Sequence, residues 1–336
     1  MRRAPYSPAE VPDKTDRDDK GVLGLRKKVA LIGLGDIARK VYLPLLSGHP
    51  EAEVCGVLSA SDHTVQQTVQ EYRFPRGTTN LDELLGWELD AVFVHSPTPT
   101  HESIVTRCLE RGVAVYVDKP LSYDYAASQR MAELAEKRKV LLAVGFNRRF
   151  APMYMEVQKW LDAAGGAGFA SAVKHRTKQQ TLSARETVHD DLIHMLDLLL
   201  WLGGGDYDRL RGSLLNTSGG RLLRAQGTVS MTGIEGMFAM VRDAGADMEK
   251  LELHGSGRSA EVADMENAVL YERDAAPRSL RFGSWDTVQR RRGFEGAVNH
   301  FLACIGRPED CTVSAGRVLP AHRLADELGG KDFLHG

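Results

Sequence analysis

Lys28-Val29-Ala30-Leu31-Ile32-Gly33-Leu34-Gly35-Asp36-Ile37-Ala38 decides the fold. Val29 to Ile32 is a short unbroken apolar run, the pattern of a strand buried on both faces, and it stops at Gly33-Leu34-Gly35, where a helical stretch opens. In that setting the first glycine makes the turn, the second lets backbone approach a pyrophosphate, and the small Ala38 lets the helix pack close. The amides that begin the helix, Asp36 and Ile37 among them, then face the phosphates. Gly166/Gly168, Gly203/Gly205 and Gly255/Gly257 repeat the triplet without a preceding buried strand, and in a chain with 33 glycines the triplet alone says little.

Moving outward, apolar runs at 54–58, 91–94, 113–117 and 140–144 alternate with helical stretches at 36–47, 62–72, 99–111 and 122–137. The alternation predicts an α/β fold whose first domain, 27–146, is a parallel dinucleotide-binding sheet of Rossmann type wrapped by helices. Beyond residue 146 the rhythm changes. Helical stretches at 151–163 and 189–202 precede a series of strand-like segments punctuated by glycines, and helices return at 294–306 and 315–328. Residues 147–330 are therefore expected to form an α+β substrate-binding and oligomerisation domain around an open, mainly antiparallel sheet. Its helices should cover one face, leaving the other free for a second subunit, and the last ones should return to the first domain. Residues 1–26 hold three prolines and mixed charge with almost no apolar periodicity, and are expected to form a mobile extension.

The 336 residues, 43% hydrophobic and 26% charged, describe a globular protein large enough for two domains. With 43 basic against 45 acidic side chains there is no global field for a polyanion, so neither nucleic acid nor an anionic membrane is an expected partner. Cys55, Cys108, Cys304 and Cys311 lack CxxC spacing and no apolar signal core opens the chain, which predicts a cytoplasmic protein without a metal site. The apolar run 192–202, interrupted by His194 and Asp197, falls short of the roughly 20 residues a spanning helix needs.

Candidate chemistry clusters at strand ends, where ligands of open α/β sheets bind. Ser96 follows the strand 91–94, while Asp118, Lys119 and Pro120 follow 113–117, so both segments should face a cofactor. In a half-closed cleft, desolvation and a nicotinamide cation would fit Lys119 for proton transfer; an exposed strand-end lysine is the alternative. Where an acidic residue would bind the adenosine ribose of NAD, the chain has Ser59-Ala60-Ser61, which favours NADP slightly. Asp62 could still serve the ribose, and no arginine follows to hold a 2'-phosphate. Along 189–202, Asp190, His194 and Asp197 fall within a stripe roughly 60° wide on an otherwise apolar helix. A self-satisfied core histidine, or Asp190 as a simple helix cap, are the alternatives, with Asp191 facing outward. Lys174, Arg176 and Lys178 share one face of a strand and could meet an acidic sugar or phosphorylated polyol, unless that face is solvated or subunit-facing. The Arg290-Arg291-Arg292 run reads as an exposed loop.

Gly33 to Ala38, Ser96-Pro97-Thr98-Pro99-Thr100-His101, Asp118-Lys119-Pro120, Gly145 to Phe150 and Asp190-x3-His194-x2-Asp197 occur in the order found in Gfo/Idh/MocA oxidoreductases. Residues 27–330 resemble that family, and most of all its MviM-type branch, through Val92 to Ser96, Val117 to Leu121, Asn147 to Pro152, Asp190-Asp191 and Arg292-Gly293-Phe294. The resemblance implies NAD(P)-dependent hydride transfer to or from the hydroxyl-bearing carbon of a sugar, polyol or sugar derivative. Lys119, Asp190 and His194 match the family's catalytic residues, Lys119 exchanging the hydroxyl proton directly or through His194 while Asp190 orients the imidazole. Pro97, Thr98 and His101 match the segment beside the nicotinamide ribose, and Arg149 an arginine near cofactor and substrate. Substrate contacts are expected from Lys119, Arg149, Arg176, Asp190 and His194, and the assembly is expected to be a homodimer or homotetramer. Two departures stand out: Asp118 replaces the commoner Glu, and Leu192 stands where Gly is frequent. Two other activities share the cofactor loop: a glycosidase working through transient NAD oxidation, and a non-catalytic NAD(P)-responsive regulator.

Overall fold

A computed structural model describes residues 26–330; the expected extension 1–26, Arg26 apart, lies outside the described residues. In the first domain the strands are β1 (Lys27–Ile32), β2 (Ala52–Leu58), β3 (Gly77–Thr78), β4 (Ala91–Val94), β5 (Ala114–Val117) and β6 (Leu142–Val144). They form one parallel sheet in the order β3-β2-β1-β4-β5-β6. Strand order reverses between β1 and β4, so a crevice opens at their carboxyl ends. Every residue of β4 and β5 is buried, which is why these strands read as unbroken apolar runs.

Helices α1 (Leu43–Ser47), α2 (Asp62–Tyr72), α3 (Leu81–Leu85), α4 (His101–Glu110) and α5 (Tyr125–Arg138) connect the strands. The expected helix 36–47 is not uniform: a wide π turn, Ala38–Tyr42, precedes α1. α2 starts where Ser61 Oγ accepts the Thr64 N–H and ends where Arg73 turns left-handed at φ 56°. β3 and α3 escape a periodicity search because each spans barely a turn.

After β6 come a 3-10 turn (Asn147–Phe150), α6 (Pro152–Asp162), β7 (Phe169–His175), α7 (Ala184–Thr187), a second π turn (Val188–Leu192) and α8 (Ile193–Leu202). Strands β8 (Arg209–Asn216), β9 (Leu222–Met231), β10 (Ile234–Val241), β11 (Met248–Gly255), β12 (Arg258–Ala263), β13 (Asn267–Glu272) and β14 (Arg278–Arg281) follow. The chain then forms α9 (Val288–Arg291), α10 (Phe294–Cys304) and α11 (Ala315–Gly329). The second sheet runs β14-β13-β12-β11-β7-β10-β9-β8, antiparallel at every pair except β7 with β10. α6 and α8 pack on one of its faces, and α8 is buried without a break from Ile193 to Leu200. α11 packs on both α8 and α5 and so joins the two domains. Among the described residues, no helix is long and apolar enough to cross a membrane.

Candidate active site

The phosphate loop is built by two glycines in different ways. Gly33 has φ +87°, and a Cβ there would lie 2.3 Å from the Ser96 amide nitrogen, so only glycine lets β1 turn against the end of β4. At Gly35 a Cβ would meet nothing within 4 Å: the backbone borders an open cradle that a larger side chain would fill, as dinucleotide phosphates require. Ala38 is buried, Ile37 half-buried, and Asp36 points outward to a Lys40 ion pair of 2.8 Å. Arg39, which sequence reasoning passed over, donates from Nε to the Leu34 carbonyl at 3.1 Å and sets a cation beside the loop. At the end of β2, Ser59 donates its amide to the Thr78 carbonyl at 3.4 Å, while the Ser61 hydroxyl oxygen accepts from the helix at 3.3 Å and keeps its proton to donate.

A cleft of about 410 Å³ opens beyond β4 and β5, bordered by Ser96, Pro97, Thr98, Asp118, Lys119 and Asp190. His95 lies beneath it, stacked on Tyr42 at 3.9 Å, with Nδ1 3.8 Å from Asp118 Oδ2. Burial alone would raise the Asp118 pKa, but His95, Lys119 and His101 outweigh it and hold the carboxyl below its usual range. His101 also borders the cleft, between the ends of β4 and β5. Its Nδ1 faces the Pro120 carbonyl at 3.0 Å and its Nε2 the Ser96 carbonyl at 3.0 Å; burial lowers its pKa, and the neutral ring has one N–H to give to one of these carbonyls. From α11, His322 Nε2 accepts the Leu121 N–H at 2.9 Å, fixing the segment that carries Lys119 and Pro120 from the other side.

Lys119 reaches across to the second domain. Its Nζ donates to the Asp190 backbone carbonyl and lies 3.4 Å from Asp190 Oδ1. Gln180 Nε2 donates to Asp190 Oδ2 at 2.6 Å, a contact no sequence pattern announced. His194 sits one helical turn further on, buried, edge-on to Phe146 at 6.3 Å, with Nδ1 unpartnered. Burial first, then the positive field of Arg148, Lys174, Lys119 and Arg176, pushes its pKa well below the usual histidine range, so the ring is neutral at pH 7. Asp190 does not orient this imidazole: its oxygens are taken by Gln180 and Lys119. The common stripe fails because 188–192 is a π turn, in which the Ile193 N–H bonds the Val188 carbonyl five residues back and rotates Asp190 away from the helix register.

Asp197 belongs to a separate pair. Arg149 holds it with Nε at 2.8 Å and Nη2 at 2.5 Å, and gives Nη1 to the Thr312 carbonyl at 3.1 Å. Three of the five Arg149 N–H groups are thus committed to Asp197 and Thr312, and the side chain is buried as part of the frame between the domains. Asp191, expected to face outward, is 8% exposed and bound by Lys174, Arg242 and, at 3.5 Å, Arg176. Of the three cations expected on one strand face, Lys174 lies on β7 and is buried, Arg176 follows the last residue of β7 and is half-buried, and Lys178 lies beyond the strand and is exposed. Burial and Arg148 push Lys174 down to about 7, against the pull of Asp191. Beside them Arg148 grips Glu249 at 2.8 and 2.7 Å, and Tyr154 donates to the same carboxylate at 2.9 Å. Of these cations Arg176 keeps the most exposed side chain, 28%.

Comparison with known proteins agrees with this geometry. Residues 27–146 match the family described as an oxidoreductase family with an NAD-binding Rossmann fold, Gfo/Idh/MocA, and residues 152–274 match the YceM-like C-terminal domain. YceM of Salmonella typhimurium, named as an oxidoreductase, is 33% identical over 90% of this chain and 96% of its own. An inositol 2-dehydrogenase of Rhizobium meliloti is 24% identical over 89% of this chain and 94% of its own. The crystal structure of a dehydrogenase, MviM, from Clostridium difficile superposes with a TM-score of 0.83 at 29% identity, covering 90% of this chain and 98% of that one.

Proposed function

This chain belongs to the Gfo/Idh/MocA family of NAD-binding oxidoreductases, and from that premise we propose that it moves a hydride between NAD(P) and the hydroxyl-bearing carbon of a sugar, polyol or sugar derivative. One observation carries the reading: Lys119 is held against Asp190 at the mouth of the cleft, with neutral His194 and its unpartnered nitrogen behind it. The bound nicotinamide supplies the hydride acceptor or donor. Lys119 Nζ exchanges the proton of the substrate hydroxyl, and His194, uncharged and without a competing partner, relays it. Asp190 positions Lys119 through both its backbone and its carboxylate, and Gln180 holds that carboxylate still. In the reducing direction the same groups place a proton on the developing alkoxide.

NADP is the preferred cofactor in this reading, because β2 ends in Ser59-Ala60-Ser61 without a carboxylate and Arg39 stands beside the loop. A second copy covers the outer face of the large sheet, where Phe169, Met237, Met248 and Tyr271 are 36–44% exposed. The test is a nicotinamide-absorbance screen of NADP and NAD against cyclic polyols, aldoses and sugar acids, together with calorimetry on Gly35→Val. A valine side chain fills the open cradle at Gly35, so dinucleotide binding should vanish while the fold persists. Unchanged affinity would reduce the loop to a turn, and binding without turnover of any substrate would leave a regulator.

A further inference from the structure

Away from the cleft, at the end of α10, three metal-binding side chains converge. His300 and Cys304 stand four residues apart on one helix face, and a 3-10 turn, Pro308–Asp310, brings Cys311 back beside them. One donor atom from each lies within 4.8 Å of the other two. His300 Nε2 is 3.8 Å and Nδ1 4.0 Å from Cys304 Sγ. Both thiols are free and buried, and the imidazole is half-buried. A tetrahedral zinc ion, with Zn–S near 2.3 Å and Zn–N near 2.0 Å, sets its sulfur and nitrogen ligands about 3.5 Å apart. The observed spacing closes to that value by small side-chain shifts.

The surroundings suit metal ligation. The Thr312 N–H donates to His300 Nε2 at 2.9 Å, which keeps this nitrogen unprotonated and places the ring proton on Nδ1. A disulfide between the two cysteines would make no use of the imidazole, whereas a metal uses all three groups.

We propose that His300, Cys304 and Cys311 bind a thiophilic divalent cation, zinc by preference, through His300 Nε2 and two thiolates, with the fourth position left to water or an outside ligand. Ligation replaces the Thr312 amide at Nε2 and releases both thiol protons, so the two thiolates balance the charge of the ion in a buried place. The bound ion clamps the 304–312 hairpin to α10. Thr312 accepts from Arg149 and the Val313 carbonyl accepts from the Val144 N–H at 2.9 Å, so the clamp braces the junction of the two domains and not the cleft.

The test uses the full chain, reduced, stripped with chelator and titrated with cobalt and then zinc without oxygen. A thiolate-to-cobalt charge-transfer band, one ion per chain by native mass spectrometry, and a zinc-dependent rise in Tm are expected. The Cys304→Ser/Cys311→Ser double variant should lose the band, Cys108→Ser should keep it, and His300→Ala should weaken binding by at least about tenfold. Should the double variant fail to fold, Cys304→Ser alone serves for the loss of the band. Absence of the band in the wild type, equal metal binding by the serine variant, or a Cys304–Cys311 disulfide whose reduced form ignores zinc would overturn the site.

Discussion

Two sets of buried charge hang on the same stretch of chain, and they are finished differently. Around the 3-10 turn and the middle of α8, Arg149 bonds through all three of its nitrogens to Asp197 and Thr312, and Arg148 meets Glu249 two-pronged with Tyr154 alongside. At the start of the same helix, Lys119 and Asp190 keep 18% and 28% of their side chains exposed, and His194 Nδ1 has no partner. Bidentate, charge-assisted pairs are the strong kind, while an unpaired buried polar atom costs about 1–3 kcal/mol. The closed set is a frame. The open set keeps polar atoms uncommitted, and the proposed chemistry rests on it.

The comparison breaks first at Lys119. Lys119→Ala should lower kcat by about 10²- to 10⁴-fold with cofactor affinity nearly intact, read from single-turnover rates on a substrate from the absorbance screen. Its denaturant midpoint should stay near wild type; a large drop would make Lys119 part of the frame, and near-normal turnover would remove it from the chemistry. Asp197→Ala is the mirror case. Stranding Arg149 in the interior should remove about 3–5 kcal/mol of stability by urea unfolding, with the folded fraction still turning over.

A pH series sharpens the contrast. Burial alone would raise the Glu249 pKa, but Arg148 and Lys174 outweigh it and hold the carboxyl down to about 2. Because that value lies below the unfolded one, near 4.3, the stabilisation is complete above about pH 4.3 and is lost as pH falls toward the folded value. Glu249→Gln should therefore flatten the acid limb of stability by about 3 kcal/mol, measured as urea midpoints between neutral and acid pH. The smallest effect belongs to Gln180→Ala. It removes one hydrogen bond from Asp190, about 1 kcal/mol, so a kcat loss of a few fold with unaltered stability is expected.

The first domain was largely legible because its signals are local. Val29 to Ile32 and the glycines after it carry the strand, the turn and the cradle within a single stretch, and α2 falls at 62–72 as its periodicity predicts. The position of Lys119 at the cleft was legible because it follows a strand end. What stayed hidden depends on partners distant in sequence or on a departure from ideal geometry. Periodicity assumes about 100° per residue, so the π turn at 188–192 misled the grouping of Asp190 with His194 and Asp197. Asp191 looked solvent-facing since its partners Lys174 and Arg242 come from β7 and the end of β10. Lone charges in otherwise apolar alternation, such as Glu249 and Arg242, were the available hint. His101 reads like a ligand-contacting histidine in sequence, and only three dimensions reveal the carbonyls that face it.

The bond from Leu121 to His322 spans 201 residues of chain. The segment that presents Lys119 already packs against His101 of its own domain, but its second anchor is in place only once α11 has docked on α5 and α8. Burial pushes the His322 pKa down to about 4 and keeps the ring uncharged, while Nδ1–H donating to the Val318 carbonyl at 3.1 Å leaves Nε2 free to accept this bond. A chain truncated before α11 should therefore keep the glycine cradle at Gly33 and Gly35 while the Lys119 segment loses one of its two anchors.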